Sequence, residues 1–212
     1  MNVALIDYGS GNLRSAEKGL AKAAASLAHP PTVTMTDDPD IIAAADAIVL
    51  PGVGAFAACM GALKARPGVI EAMTQAVDRG ASFLGICVGM QLLAERGREF
   101  GVTAGLGWIG GEVRAMHPAT PGLKVPHMGW NSLDGSLASP IFKGLATGDH
   151  MYFTHSYVLM ADSADEVIAT TDHGGPVVAA VARDTIVGVQ FHPEKSQAAG
   201  AQLLANFLEW RP

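Results

Sequence analysis

Ser82-Phe83-Leu84-Gly85-Ile86-Cys87-Val88-Gly89-Met90-Gln91-Leu92-Leu93-Ala94 reads as a strand that turns sharply into a helix. The apolar run Ser82 to Ile86 arrives as strand, Met90 to Ala94 leaves with helical composition, and one cysteine stands between two glycines at the junction. This is the sulfur form of the G-x-S-x-G nucleophile elbow. Gly85 and Gly89 suit a tight turn past which neighbouring backbone runs closely. Such a turn lifts one side chain clear of the fold and aims the first amides of the helix at it. A thiol in that position carries more thiolate at neutral pH. Taken alone, the pentapeptide describes a buried structural cysteine equally well.

Working outward, the first half of the chain alternates strand and helix. Val3–Ile6, Thr32–Met35, Ala47–Leu50 and Ser82–Ile86 read as strands, the third ending at Pro51-Gly52. Leu13–Leu27, Pro39–Ala45, Ala55–Lys64 and Val69–Arg79 read as helices, with Asp37 or Asp38 as the cap of the second. Strands separated by helices imply right-handed crossovers and parallel pairing. The second half changes character. Leu106–Met116, Met151–Leu159, Val167–Thr171, Val177–Ala182 and Thr185–Gln190 are strand-like. His173-Gly174-Gly175 and Arg183-Asp184 mark turns of an antiparallel meander through the last three. Ala198–Glu209 is a final helix, while 120–131 and 134–149 are loop-rich. The expected architecture is α/β: a mixed, mostly parallel central sheet flanked by helices, with an added antiparallel strand region, in one domain over residues 1–212. In such sheets sites lie at the carboxyl ends of strands, where Cys87 and Pro51-Gly52 both fall.

Phe191-His192-Pro193-Glu194-Lys195-Ser196 closes the strand Thr185–Gln190. Proline holds the residue before it extended, and in extended backbone positions i and i+2 point the same way. Glu194 can therefore orient the imidazole of His192, the base-plus-orienter half of a nucleophilic triad. A surface His and Glu at a strand end is the plain alternative. The cysteine elbow and the His-x-Glu strand end in one α/β chain favour Cys87, His192 and Glu194 as nucleophile, base and orienter. Pro51-Gly52-Val53-Gly54 is either an ordinary strand-to-helix turn or, with the amide of Val88, a source of oxyanion donors. Gln91 follows Cys87 by one helical turn, on the same side, as a candidate substrate contact or a solvent-facing glutamine.

Composition excludes several functions. With 49% hydrophobic residues, 16% charged and a net charge of −6 without a basic block, a nucleic-acid surface is not expected. Two cysteines, Cys59 and Cys87, form no disulfide framework and point to a reducing cytoplasm. No signal peptide or membrane-length apolar run is read. Tyr8-Gly9-Ser10-Gly11-Asn12 follows the first strand, but Arg14 stands where a dinucleotide fingerprint needs glycine. The seven histidines show no metal-binding spacing, so neither metal nor cofactor is expected.

With these motifs together, the chain resembles the class I (triad-type) glutamine amidotransferases, most of all the glutaminase subunits of imidazole glycerol phosphate synthases. The resemblance runs almost end to end, through IDYGSGNLRS at 6–15, LPGVGAF at 50–56, GICVGMQLL at 85–93, KVPHMGWN at 124–131, YFTHSY at 152–157 and FHPEKS at 191–196. The segment Ala28 to Pro31 departs from the family pattern in loop length. The resemblance implies hydrolysis of glutamine by Cys87, His192 and Glu194, with Gly52, Val53 and Gly54 as the oxyanion strand and Val88 beside it. It also implies glutamine contacts from Gln91, Glu99 and the main chain of His155-Ser156-Tyr157. Asn12, Trp130, Tyr152 and Lys195 match positions facing a (β/α)8-barrel cyclase, the second member of a heterodimer that receives the ammonia for histidine biosynthesis. Family members are nearly silent until the cyclase binds its ligand, and the glycines of the Pro51–Gly54 turn suit a switching peptide. A glutaminase serving another synthase, a non-catalytic scaffold and a cysteine peptidase are the alternatives at this point.

Overall fold

A computed structural model describes residues 1–211. Strands β1 (Asn2–Ile6), β2 (Thr32–Thr36), β3 (Ala47–Gly52) and β4 (Ser82–Cys87) alternate with helices α1 (Leu13–Ala24), α2 (Pro39–Ala44), α3 (Phe56–Lys64) and α4 (Val69–Asp78). A short helix α5 (Val88–Gln91) follows β4, then β5 (Ala94–Gly97), β6 (Thr103–Ala104), β7 (Ile109–Ala115), β8 (His127–Ser132), β9 (His150–His155) and β10 (Tyr157–Ala161). The chain ends in β11 (Val167–Asp172), β12 (Pro176–Arg183), β13 (Ile186–Val189) and α6 (Gln197–Glu209).

The main sheet has seven strands in the order β11-β12-β13-β4-β3-β1-β2. β2, β1, β3, β4 and β13 run parallel, and β12 and β11 complete the expected antiparallel meander. Strands buried on both faces have to be apolar throughout; β3, β4 and β13 are buried at every residue. Of the two candidate caps, Asp38 starts α2 by accepting the N–H of Asp40 at 2.9 Å, with Pro39 in the first turn. A second sheet, β10-β7-β5-β6, and a two-stranded ribbon, β8-β9, lie outside the main one. Within the second sheet the buried carboxylate of Glu112 on β7 accepts from Arg96 Nε at 2.8 Å and Arg98 Nε at 2.7 Å, and also from Arg114.

Four sequence-based boundaries shift. The strand expected to stop at Leu50 continues through Pro51-Gly52, which pair with Ile86 and Cys87; proline deletes one donor but tolerates extended backbone. The helix expected over Met90–Ala94 ends at Gln91. The carbonyls of Leu92 and Leu93 instead accept the N–H groups of Leu106 and Trp108, at 2.8 and 2.9 Å, and Ala94 opens β5. The run Met151–Leu159 is two strands divided at Ser156, the first paired with β8 and the second with β7. Inside the segment read as loop, His127–Asn131 forms most of β8; the neighbouring Pro126 and the internal Gly129 disguise its pattern.

Where β3, β4 and α5 meet, backbone touches backbone. A Cβ on Gly89 would lie 1.9 Å from the carbonyl oxygen of Leu50, and one on Gly85 2.6 Å from the carbonyl oxygen of Gly89. Gly89→Ala is therefore expected to lower unfolding free energy by about 3 kcal/mol in denaturant titrations, the upper part of the usual overpacking range. Gly61→Ala is the control. That glycine lies exposed in α3 with nothing within 4 Å of where a Cβ would stand, and alanine there should stabilise by roughly 0.5–1 kcal/mol.

Candidate active site

Cys87 ends β4 with φ 56° and ψ −112°, a positive-φ conformation that a non-glycine residue adopts only under constraint. The constraint is visible on both sides: Gly52 pairs with Cys87 across β3–β4, and a Cβ on Gly52 would meet the Gly89 nitrogen at 2.7 Å. The elbow delivers the cysteine to the carboxyl edge of the sheet, where it lines a cavity of about 200 Å³. Gln190, at the end of the neighbouring β13, approaches the Cys87 sulfur with Nε2 at 3.9 Å.

His192 lines the same cavity. It is extended (φ −105°, ψ 93°), as the following proline requires, but Pro193–Lys195 form a 3-10 turn rather than continuing the strand. Glu194 thus reaches His192 through a turn, and its Oε1 lies 2.8 Å from His192 Nδ1. Both side chains are buried. A carboxylate accepts only, so Nδ1 carries a proton toward it. Nε2 is left buried without a protein partner. Burial pulls the imidazole pKa down, but the neighbouring Cys87 and Glu194 outweigh burial and raise it to about 9. The turn is held from three directions: His192 N–H donates to the Tyr152 carbonyl at 2.9 Å, Ser196 Oγ donates to the His192 carbonyl at 2.6 Å, and α1 presses on Glu194 at Gly19.

The cavity also gathers Val53, Gly54, Val88, Gln91, Glu99, His155 and Tyr157, drawn from separate stretches of chain. Gly52 lies beneath it, against Val88 and Gly89, and Ser156 sits between its two lining neighbours with its carbonyl taken by the Met116 N–H. Gln91 is buried rather than solvent-facing; its Nε2 donates to the Tyr157 carbonyl at 3.0 Å and to Gln190 Oε1 at 2.9 Å. Glu99 accepts the Phe56 N–H at 2.7 Å, so it caps α3 while lining the cavity. The Val53 carbonyl is occupied from the far side by Ser10 Oγ at 3.0 Å and Cys59 Sγ at 3.3 Å.

Trp130 and Tyr152 meet edge to face across β8–β9, 5.9 Å between ring centres, and the Lys195 ammonium lies 5.8 Å from the Tyr152 ring. Lys195 also borders the cavity, so these three form one patch at its mouth; Asn12 is exposed at the start of α1. Gln190, Thr154 and His127 escaped the reading of the sequence. Gln190 had a signal, a lone amide closing an apolar strand; Thr154 and His127 had none, because their places depend on how β8 and β9 pair. Among the described residues no cluster of three His, Cys, Asp or Glu side chains suits a metal ion.

A cysteine elbow and a carboxylate-held imidazole lining one cavity at the edge of a parallel sheet form the arrangement expected of a triad amidotransferase. The chain belongs to the class-I glutamine amidotransferase family, whose model matches residues 4–210. Within it the chain falls among proteins named imidazole glycerol phosphate synthase subunit HisH. The Caulobacter vibrioides subunit is 58% identical over 211 residues, 99% of each chain, and the Brucella abortus subunit is 55% identical over the full length of both. Two solved structures share the fold at 19% identity and a TM-score of 0.70, each covering 98% of this chain and 97% of its own: a glutamine amidotransferase and PurLQS from Thermotoga maritima.

Because its folded pKa stands above the ordinary 6.5, the stabilisation His192 contributes is complete below pH 6.5 and is lost as pH rises through about 9. The Cε1 proton of His192, followed by NMR, should titrate near 9 in the wild type and at lower pH in Cys87→Ser.

Proposed function

We propose that this chain is the glutamine-hydrolysing subunit of an imidazole glycerol phosphate synthase, acting as one domain over its whole length in the cytoplasm, with Cys87, His192 and Glu194 as its catalytic residues. The observation that carries the catalytic reading is the 2.8 Å contact of His192 Nδ1 with Glu194, which leaves Nε2 unpaired and buried beside the cavity that holds Cys87. The two free cysteines fit a reducing compartment, and no helix among the described residues is long and apolar enough to cross a membrane.

The Cys87 thiolate attacks the side-chain amide carbon of glutamine. Its strained backbone holds the sulfur proud of the sheet, so little reorientation precedes attack. The oxyanion is held by the amide of Val88 and that of Val53 or Gly54, each donor worth roughly 3 kcal/mol. The imidazolium of His192, kept charged by its neighbours, protonates the departing nitrogen, giving ammonia and a glutamyl thioester. His192, now neutral, takes a proton from the water that attacks the thioester carbonyl, and collapse of that adduct releases glutamate and restores the Cys87 thiolate beside the His192 imidazolium. Gln91, Glu99 and the main chain of His155-Ser156-Tyr157 contact the amino-acid end of glutamine.

Ammonia that met bulk water at neutral pH would be lost as ammonium, so the product needs a sealed exit into a second subunit. The patch of Trp130, Tyr152 and Lys195, together with Asn12, is where the (β/α)8-barrel cyclase docks. The cyclase joins the ammonia to a phosphoribulosyl-type intermediate, making imidazole glycerol phosphate and an aminoimidazole carboxamide ribonucleotide. Glutamate release should be measured with and without the cyclase and its nucleotide ligand. The reconstituted pair is expected to hydrolyse glutamine; Cys87→Ala should lose more than about 1,000-fold and Glu194→Gln about 100-fold or more in kcat. Full turnover by Cys87→Ala overturns the assignment of the nucleophile.

A further inference from the structure

Behind the wall of the cavity a row of side chains forms a hydrogen-bond chain in which the position of every proton is determined. It begins at a main-chain carbonyl. His155 Nδ1 lies 2.9 Å from the carbonyl oxygen of Tyr157, which can only accept, so Nδ1 bears the hydrogen. In the neutral ring Nε2 is then an acceptor, and its neighbour at 2.9 Å, His127 Nδ1, must donate. His127 Nε2 in turn accepts from Asn131 Nδ2 at 3.1 Å. Asn131 has no freedom to flip: its second N–H goes to the Asp172 carbonyl at 2.7 Å, and its Oδ1 accepts the Ser132 N–H at 2.9 Å. Both imidazoles are buried, and burial pushes them to about 3 for His127 and about 4 for His155, so both rings are neutral at pH 7.

The geometry around His127 leaves the ring a single pose. Phe153 stacks on one face, 4.7 Å between centres, and His173 on the other at 4.2 Å; His173 is itself tied through Nε2 to the Lys124 carbonyl at 2.9 Å. At the other end of the chain, the Tyr157 carbonyl that receives His155 also receives Gln91 Nε2. Gln91 and His155 both line the cavity, so one carbonyl fixes two of its walls. At the start of the chain, Asn131 and His127 belong to β8, the strand whose alternate residues Met128 and Trp130 face outward.

We infer that His127 and Asn131 are positioning residues of the glutamine site: they hold His155 as its Nδ1–H tautomer, and His155 with Gln91 fixes the Tyr157 carbonyl that shapes the cavity wall. This rests on the proposed glutaminase reading for its substrate, but not for its hydrogen-bond chain. Removing the His127 donor leaves His155 Nε2 buried without a partner, and the segment Thr154–Tyr157 loses its fixed place. The reacting atoms are untouched, so binding of glutamine suffers rather than turnover.

Two measurements test it. In the isolated chain, 15N–1H correlation of the histidine rings at pH 7 should show both His127 and His155 protonated at Nδ1, with each ring assigned in the wild type by through-bond connection to its own backbone resonances. Protonation at Nε2 in either ring overturns the inference, whatever the chain's activity proves to be. In the complex with the cyclase, His127→Asn and His127→Gln form the critical pair, because the asparagine amide occupies the place of Nδ1 and the glutamine amide that of Nε2. His127→Asn should keep the KM for glutamine within about threefold of wild type, while His127→Gln raises it about tenfold with kcat little changed. Equal KM values in the two variants, or parallel losses of kcat and thermal midpoint, mean a merely structural histidine and overturn the inference. Should neither variant fold, the tautomers of the wild-type rings decide it.

Discussion

The close passage of two backbones fixes everything else in this molecule. The carbonyl of Leu50 occupies the space that any side chain on Gly89 would need, and Gly52 and Gly85 close against the same short helix. Three residues without a Cβ weld β3, β4 and α5 into a unit with no slack. That unit forces Cys87 into its positive-φ conformation and sets the Gly52–Gly54 turn directly beside it. Cys87, the proposed nucleophile, and the candidate oxyanion donors are therefore placed by the packing of the sheet, before any substrate arrives. A backbone strain of about 1–3 kcal/mol at one residue persists because a seven-stranded sheet surrounds it.

One cavity also separates its histidines by environment. His192 has an acidic partner on each side and is driven toward the charged form; His155, a cavity neighbour, faces a carbonyl and another imidazole and is driven toward the neutral one. Identical side chains in nearly equal burial thus acquire opposite states, an acid at one wall and an uncharged strut at the other. The neighbouring Cys87 and then the buried Glu194 permit this. Together they compensate a charge that the interior would otherwise expel.

Much of the fold was readable because its signals are local. Apolar runs located β1, β3 and β4, stopped at Asp7, at Pro51-Gly52 and at the cysteine elbow, and the turns at His173-Gly174-Gly175 and Arg183-Asp184 located the meander. The proposed triad residues were readable for the same reason: an elbow and a His-Pro-Glu turn are each a few adjacent residues, and Cys87 and His192 do line one cavity, with Glu194 on His192. What escaped was decided by pairing across long separations. Leu92 and Leu93 have helical composition, yet their carbonyls go to Leu106 and Trp108, and the helix stops. His127 and His155 meet because they are register partners in β8–β9, 28 positions apart, a fact no periodicity announces. The approach of Glu194 to His192 has a different cause from the expected one, since a 3-10 turn supplies what extended backbone was expected to give.

The ribbon β8–β9 has a mechanical consequence. Two strands alone are marginal in water, so this element is ordered only by what leans on it. Cys87 stands at the edge of the seven-stranded sheet, whereas Thr154 and His155 stand on the separate two-stranded ribbon, whose outer side carries the exposed Trp130 and Met128. The two walls of the cavity thus belong to different sheets and share no strand ladder. Whatever covers the outer side of the ribbon therefore also backs the wall that Thr154 and His155 supply.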